Sequence, residues 1–167
     1  KLPFEVGIMG AVAFNAASSQ DAIVDSVTTL SVAHTTAGAN RLLIGCAGWR
    51  DDDAQRTVSG VDFPSGTAMT TVASSTGGAG NGGVHMWRLI APTTTASDMV
   101  ITWDAATSLY RFGGAISFTG VHQTVPLGTA VTATAASGSP TVNVSSAADE
   151  IVVDSAVIVH GPNDTLT

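Results

Sequence analysis

Charged side chains are scarce in this sequence, since Asp, Glu, Lys and Arg together make up 11% of its 167 residues. Six of these residues are basic and 13 are acidic, which gives a net charge of −7. A surface so poor in Lys and Arg cannot neutralise a run of phosphates. The same shortage removes the attraction to anionic lipid headgroups. We therefore expect no nucleic acid among the partners of this chain and no binding to anionic membranes.

Cysteine is almost absent, because Cys46 is the only one. One cysteine cannot form an internal disulfide, and this one lies in an apolar segment where a buried, unreactive thiol is expected. Long apolar runs are missing as well. None approaches the roughly 18 residues that a helix needs to cross a bilayer, so we expect no membrane insertion.

Small and β-branched residues fill most of the remaining positions. Gly, Ala, Ser, Thr and Val favour pleated sheet, whereas helices usually carry Glu, Lys and Leu on their faces. Aromatic residues make up only 5% of the chain. The composition predicts an all-β protein.

Short segments with strand-like alternation recur between turn signals. The predicted strands cover 29–34, 41–49, 57–63, 68–74, 84–91, 99–104, 112–118 and 151–159, with 129–139 as an edge strand and loop. Segment 1–28 is loosely patterned. Segment 41–49 is apolar on both faces, which is typical of a central strand covered on each side. This spacing favours a two-sheet sandwich or a barrel in a single domain covering 1–167.

Tryptophan is the residue most able to stack on a sugar, and the chain has Trp49, Trp87 and Trp103. Aromatic residues on apolar strand faces are more often core residues. Trp103 shares one face of its strand with Met99 and Ile101, so we place it in the core of the sandwich.

Residues of catalytic type are present but are not arranged in a known motif. The chain has no Gly-x-Ser-x-Gly nucleophile elbow. Its histidines, His34, His85, His122 and His160, are scattered without the spacing of a zinc site. We therefore predict no enzyme, no cofactor, and no catalytic, cofactor-binding or metal-binding residue.

One acidic loop resembles a calcium loop in its spacing. Possible oxygen ligands occupy its positions 1, 3, 5, 7, 9 and 12, namely Asp51, Asp53, Gln55, Thr57, Ser59 and Asp62. The sixth position holds Arg56 instead of the glycine that the sharp turn needs, and no helices flank the loop. A solvated hairpin loop is favoured, and cation binding at Asp51–Asp53 stays open.

Several phrases of the sequence together resemble a β-sandwich domain found in phage virion proteins and in large bacterial surface proteins. The matching phrases lie at 34–45, 58–70, 84–92 and 115–127. The last is similar to the family phrase AVSFTGVDQTTPL, in which His122 stands where the family usually carries Asp. His122 is therefore interpreted as part of a turn between strands.

The resemblance implies a jelly-roll or lectin-like sandwich that has no shared catalytic residues. It implies a structural protein of a virion, either a capsid decoration or head-fibre protein or a tail component. Its partners would be other virion subunits or copies of itself, and host glycans are a further candidate. The alternatives are a carbohydrate-binding or adhesive module of a secreted bacterial protein, located at the cell surface, and a subunit of an extracellular filament.

Assembly is also expected from the strands themselves. Many short strands with few charges leave edges that must be paired or covered, so we expect a homo-oligomer. The family pattern continues with further strands beyond the equivalent of Thr167. For the apolar strand 151–159 we therefore expect either that strands following it are missing from this sequence or that a neighbouring subunit supplies them.

Overall fold

The computed structural model of the chain describes residues 11–23, 28–51, 55–76, 82–106, 110–135 and 141–157. Those residues contain no helix, and consequently none that could cross a membrane. The strands are β1 (Ala13–Ile23), β2 (Thr29–His34), β3 (Leu42–Arg50), β4 (Val58–Asp62), β5 (Thr70–Thr76), β6 (Gly83–Ile90), β7 (Ser97–Trp103) and β8 (Tyr110–Thr119). Strands β2 to β8 lie where the alternation predicts them, to within a few residues.

The strands pair in a nested order. β1 pairs with β8, β2 with β7 and β3 with β6, all antiparallel. An isolated antiparallel β-bridge between Asp62 and Ala68 joins the end of β4 to the residues just before β5. The result is a five-stranded sheet in the order β1-β8-β3-β6-β5 and a three-stranded sheet in the order β2-β7-β4. Nested pairing divided between two sheets is the arrangement of a jelly roll, which confirms the all-β, two-sheet antiparallel jelly-roll-like β-sandwich.

β3 lies in the middle of the five-stranded sheet and is covered on both faces. Leu43, Ala47 and Trp49 face the three-stranded sheet, whereas Leu42 and Ile44 belong to a second apolar cluster on the opposite face. All of these side chains are buried. The prediction of a central strand covered on each side is confirmed.

The two sheets pack face to face through one apolar core. Trp103 is buried together with Met99 and Ile101, which confirms its predicted position. Trp49 and Trp87 enter the same core from the five-stranded sheet, so none of the three indole rings is presented to solvent. The buried residues of this core are Leu30, Val32, Leu43, Ala47, Trp49, Val61, Phe63, Met69, Trp87, Met99, Ile101, Trp103 and Ala115.

Both ends of the chain differ from the expectation. Residues 13–23, within the loosely patterned segment, form the longest strand, β1, which pairs with β8 along its whole length. Residues 129–135 and 151–157, by contrast, form no strand. The remaining residues of the two predicted C-terminal strands, 136–139 and 158–159, lie outside the described residues.

Two adjacent glycines in β8 face opposite sides of the sheet. A methyl group at Gly113 would lie 2.6 Å from Cδ1 of Ile101 and 2.9 Å from Cγ2 of Val32, both from the three-stranded sheet. A methyl group at Gly114 would meet only the carbonyl oxygen of Ser18, at 3.9 Å. The missing side chain at Gly113 therefore lets the two sheets approach each other.

These glycines form a matched pair for testing the packing of the sandwich. We expect Gly113→Ala to lower the free energy of unfolding by about 1–3 kcal/mol, because it overpacks the core. Gly114→Ala should change it by less than about 0.5 kcal/mol. Urea unfolding of both variants measures the difference. Equal effects would show that the sheets do not approach closely at Gly113.

Candidate functional site

His34 is buried between the two sheets, with 3% of its surface exposed. Its Nδ1 lies 3.0 Å from the hydroxyl of Ser18 on β1, and its Nε2 lies 3.0 Å from the hydroxyl of Ser117 on β8. One imidazole from the three-stranded sheet is thus held by two hydroxyls of the five-stranded sheet. This arrangement ties the edge strand β2 to the other sheet.

The hydrogen bonds around His34 indicate which ring nitrogen carries a hydrogen. Oδ1 of Asn15 accepts the backbone N–H of Ala37 and the hydroxyl proton of Ser117, each at 2.9 Å. Ser117 has then used its only proton, so it accepts from His34 and Nε2 must carry the hydrogen. Burial lowers the pKa of His34 and so favours the neutral imidazole. In that form Nδ1 accepts the hydroxyl proton of Ser18.

A cavity of about 410 Å³ lies beside this hydrogen-bond chain. It is lined by β1, by the end of β2 and by the start of β7, through Ala16, Ser18, Ala33, His34, Thr35, Ala96, Ser97 and Asp98. Its volume falls near the lower end of the roughly 300–1,000 Å³ typical of small-molecule sites. The cavity is largely open to solvent, so a small molecule there would be only partly enclosed.

The lining of the cavity combines three methyl groups with hydroxyls and one carboxylate. Thr35 supplies a hydroxyl, and Asp98 supplies acceptor oxygens. The hydroxyl of Ser97 donates its proton to the carbonyl oxygen of Thr95 at 3.1 Å, so only its acceptor capacity remains. Ser18 donates its proton to His34, so it offers a ligand the remaining acceptor capacity of its oxygen. This set of groups suits a neutral ligand that carries several hydroxyls.

The acidic loop differs from the solvated loop expected from the sequence. Asp51 is fully buried, and its carboxylate accepts a hydrogen bond of 2.6 Å from Nε of Arg56. The arginine that breaks the calcium pattern thus binds the first residue of that pattern. Asp53 lies outside the described residues. Within the described ranges, no three His, Cys, Asp or Glu side chains are grouped to hold a metal ion.

The other histidines have separate positions. His85 is buried with its ring 5.0 Å from that of Trp49 and 5.5 Å from that of Trp87, and burial lowers its pKa. His122 is exposed, and its Nδ1 accepts the backbone N–H groups of Thr124 and Val125 at 3.1 and 3.0 Å. These contacts support the interpretation of His122 as part of a turn. His160 lies outside the described residues.

The five-stranded sheet carries a second apolar cluster on its outer face, which we define as the side turned away from the three-stranded sheet. The buried residues of this cluster are Leu42, Ile44, Phe118 and Val121, and its partly buried residues are Val12, Cys46, Met86, Ile90, Ile116, Leu127 and Val153. Three of its members, Val121, Leu127 and Val153, follow the last strand. The later part of the chain therefore covers this face.

Residues 151–157, which we call the arm, lie against the outer face. Val153, Ser155 and Val157 are half-buried, whereas the residues between them are exposed. The thiol of Cys46 is also only half-buried. The pKa of the Cys46 thiol is raised, mainly by burial and further by the charge of Asp154, while the Ser155 hydroxyl acts in the opposite direction. The arm thus has the burial alternation of a strand and lies near the thiol.

The hydrogen-bond chain around His34 has no local signal in the sequence. Ser18 precedes the histidine by 16 residues and Ser117 follows it by 83 residues. Only the nested pairing of the strands brings the three side chains together. The four histidines are scattered along the chain, and no sequence pattern singles out His34.

Stability should fall in mild acid because His34 is buried in its neutral form. Its pKa lies below the ordinary value of 6.5, so the unfolded chain takes up a proton before the folded chain does. The contribution is complete above pH 6.5 and declines as the pH falls towards the folded pKa, by at most about 1.4 kcal/mol per pH unit. Burial also lowers the pKa of His85, so its contribution to stability changes with pH in the same direction. Asp98 is the acidic residue that lines the cavity beside His34.

Urea unfolding between about pH 7.5 and pH 5.5 measures this slope. We expect His34→Gln to reduce it, and His85→Gln to reduce it separately. The comparison concerns the slope, so a uniform loss of stability in either variant does not affect it. An unchanged slope in His34→Gln would contradict a neutral His34 in the folded chain.

Comparison of the chain with known protein families, with curated proteins and with solved structures finds no match. The resemblance of its phrases to the virion sandwich domain therefore stays a prediction. The functional argument therefore rests on the fold and on the surfaces that it exposes.

Proposed function

We propose that this chain is a structural subunit that acts by assembling with copies of itself or with other subunits. The setting that fits best is a virion, in which the chain would be a capsid decoration, head-fibre or tail protein. The sequence phrases support the setting, and the surface of the sandwich supports the mode of action.

The observation that carries the proposal is the edge of the five-stranded sheet at β5. Within the described residues β5 pairs with β6 alone, so its other side is a free edge. Proteins usually guard such edges with charges, prolines or bulges. β5 contains no charged residue and no proline. The one such protective feature in β5 is a register shift between Thr71 and Ala73, after which residues 73–76 pair regularly with β6.

Exposed apolar side chains give independent support. Val125, Val142, Val144 and Val152 are exposed in the irregular segment that follows β8. β-branched residues favour sheet, where they pack against neighbouring strands. The molecule thus carries both a free strand edge and exposed β-branched side chains, and each of these features favours association between subunits.

The cavity beside His34 favours one alternative, a carbohydrate-binding or adhesive module. Its hydroxyls, its carboxylate and its alanine methyl groups match the polar and apolar faces of a sugar. The alternative requires binding at the cavity, whereas assembly requires contacts at the sheet edge. The two proposals therefore predict different effects of substitution. Substitutions in the cavity should weaken carbohydrate binding, whereas substitutions at the sheet edge should weaken assembly.

Assembly can be tested by adding a charge at the free edge. We expect the chain to sediment as an oligomer at micromolar concentration. Ser74→Lys places a lysine on the exposed, regular part of β5 and should weaken association by at least about tenfold. Thr94→Lys adds the same charge in the exposed turn before β7 and should leave association unchanged. A wild-type monomer, or equal effects of the two lysines, would contradict the proposal.

Carbohydrate binding has its own test in a glycan array. Under the alternative, the chain binds one class of glycan and Asp98→Asn loses most of that signal, while Asp62→Asn, outside the cavity, keeps it. Mass spectrometry of purified virions tests the setting. An assembling chain that is absent from virions would favour an extracellular filament.

A further inference from the structure

Ser18 and His34 lie side by side at the cavity between the two sheets. The hydroxyl oxygen of Ser18 is 3.0 Å from Nδ1 of His34, which is within the reach that proton transfer to a base requires. Both residues line the cavity, and Ser18 is half-buried, so a molecule in the cavity can reach its hydroxyl. A serine that is hydrogen-bonded to a histidine in this way is the usual form of an activated nucleophile.

The second ring nitrogen of His34 is held by the opposite sheet. Nε2 lies 3.0 Å from the hydroxyl of Ser117, whose proton goes to Oδ1 of Asn15. Nε2 therefore carries the ring hydrogen, and the lone pair of Nδ1 faces Ser18. A base that is hydrogen-bonded to a third group on its other side completes the arrangement of a nucleophile, a base and an orienting group.

The surroundings of the pair supply a negative charge and backbone donors. Asp98 lines the same cavity, and its carboxylate favours the imidazolium that forms when His34 takes the proton of Ser18. Within the described residues β1 pairs with β8 alone, so alternate N–H groups of β1 have no ladder partner. Backbone N–H groups beside a nucleophile are common donors to the oxyanion of acyl transfer.

We propose that Ser18 is a nucleophile that, with His34 as its base, hydrolyses small esters whose alcohol carries hydroxyl groups. Oγ of Ser18 attacks the carbonyl carbon, and its proton passes to Nδ1 of His34. The bond from that carbon to the alcohol oxygen breaks, and the alcohol leaves with the proton. Water then attacks the acyl group on Ser18 and gives a proton to Nδ1. That proton returns to Oγ as the carboxylic acid departs.

The open cavity suits an ester of this class. The hydroxyl of Thr35 and the carboxylate of Asp98 can bind the hydroxyls of the alcohol, and the methyl groups of Ala16 and Ala33 suit a small acyl group. Because the cavity is largely open, water can enter for the second step. This activity goes beyond the proposed assembly function, since β1 and β5 lie at opposite edges of the five-stranded sheet.

Two esters test the nucleophile and the turnover separately. After brief reaction with p-nitrophenyl acetate, we expect peptide mass spectrometry to find one acetyl group, on Ser18. We also expect the chain to hydrolyse glycerol triacetate, followed by titration of the released acetic acid. Ser18→Ala should lose both reactions, whereas Ser19→Ala, which changes the exposed neighbouring serine, should keep both. His34→Gln should slow both by about 100-fold.

The pH dependence of the unaltered chain gives a test that needs no variant. We expect the rate of acetylation to fall as the pH is lowered below 6.5, because burial lowers the pKa of His34 and a protonated Nδ1 no longer accepts the proton of Ser18. Ser18 and Ser117 approach His34 from β1 and β8, and Asp98 is the other titratable residue in the described lining of the cavity. Asp98→Asn should retain the fall, which assigns it to His34.

The results that would overturn the proposal are distinct from those that concern assembly. Acetylation spread evenly over the exposed serines would show that Ser18 is not activated. Hydrolysis of glycerol triacetate at the same rate in Ser18→Ala and in the unaltered chain would exclude Ser18 as the nucleophile, and a rate that does not change with pH would exclude His34 as its base. None of these results bears on sedimentation, which tests assembly alone.

Discussion

The structure depends on one constraint, which is that β3 is apolar on both faces. A sandwich of two sheets covers only one of those faces. The inner face packs on β2, β7 and β4 through Leu43 and Trp49. The outer face, with Leu42 and Ile44, must be covered by something else, and in this chain the residues after β8 provide that cover. The position of the arm is therefore a consequence of the composition of a single strand.

The sequence predicts β2 to β8 because their apolar patterns, alternating in strands such as β2 and continuous in β3, are local properties. β2 is the clearest case, with its even-numbered residues Leu30, Val32 and His34 buried and its odd-numbered residues exposed. β1 escapes this reasoning because it consists mainly of Ala, Ser, Asn and Gln. It is a strand because β8 offers it a continuous ladder, and a partner about one hundred residues away leaves no trace in local composition.

The C-terminal segment shows the opposite failure. Residues 151–157 have the alternation of a strand, and three of them are half-buried. They lie across the face of that sheet rather than along its edge, so backbone pairing does not follow. His34 illustrates the same limit for the site, since its role comes from Ser18, Ser117 and Asn15, which the topology brings to it. A sequence pattern predicts which side chains are buried but not which groups they meet.

The nested pairing also governs the order in which the chain can fold. Its innermost contact, Asp62 with Ala68, joins residues that are close in sequence, whereas the outermost ladder joins Ala13 to Thr119. Contacts between distant residues slow folding, because loop-closure entropy is lost before they form. During synthesis β1 emerges first but finds its partner last, after seven other strands have left the ribosome. β1 has few hydrophobic residues and consists mainly of Ala, Ser, Asn and Gln. It is therefore poorly suited to aggregate while it is still unpaired.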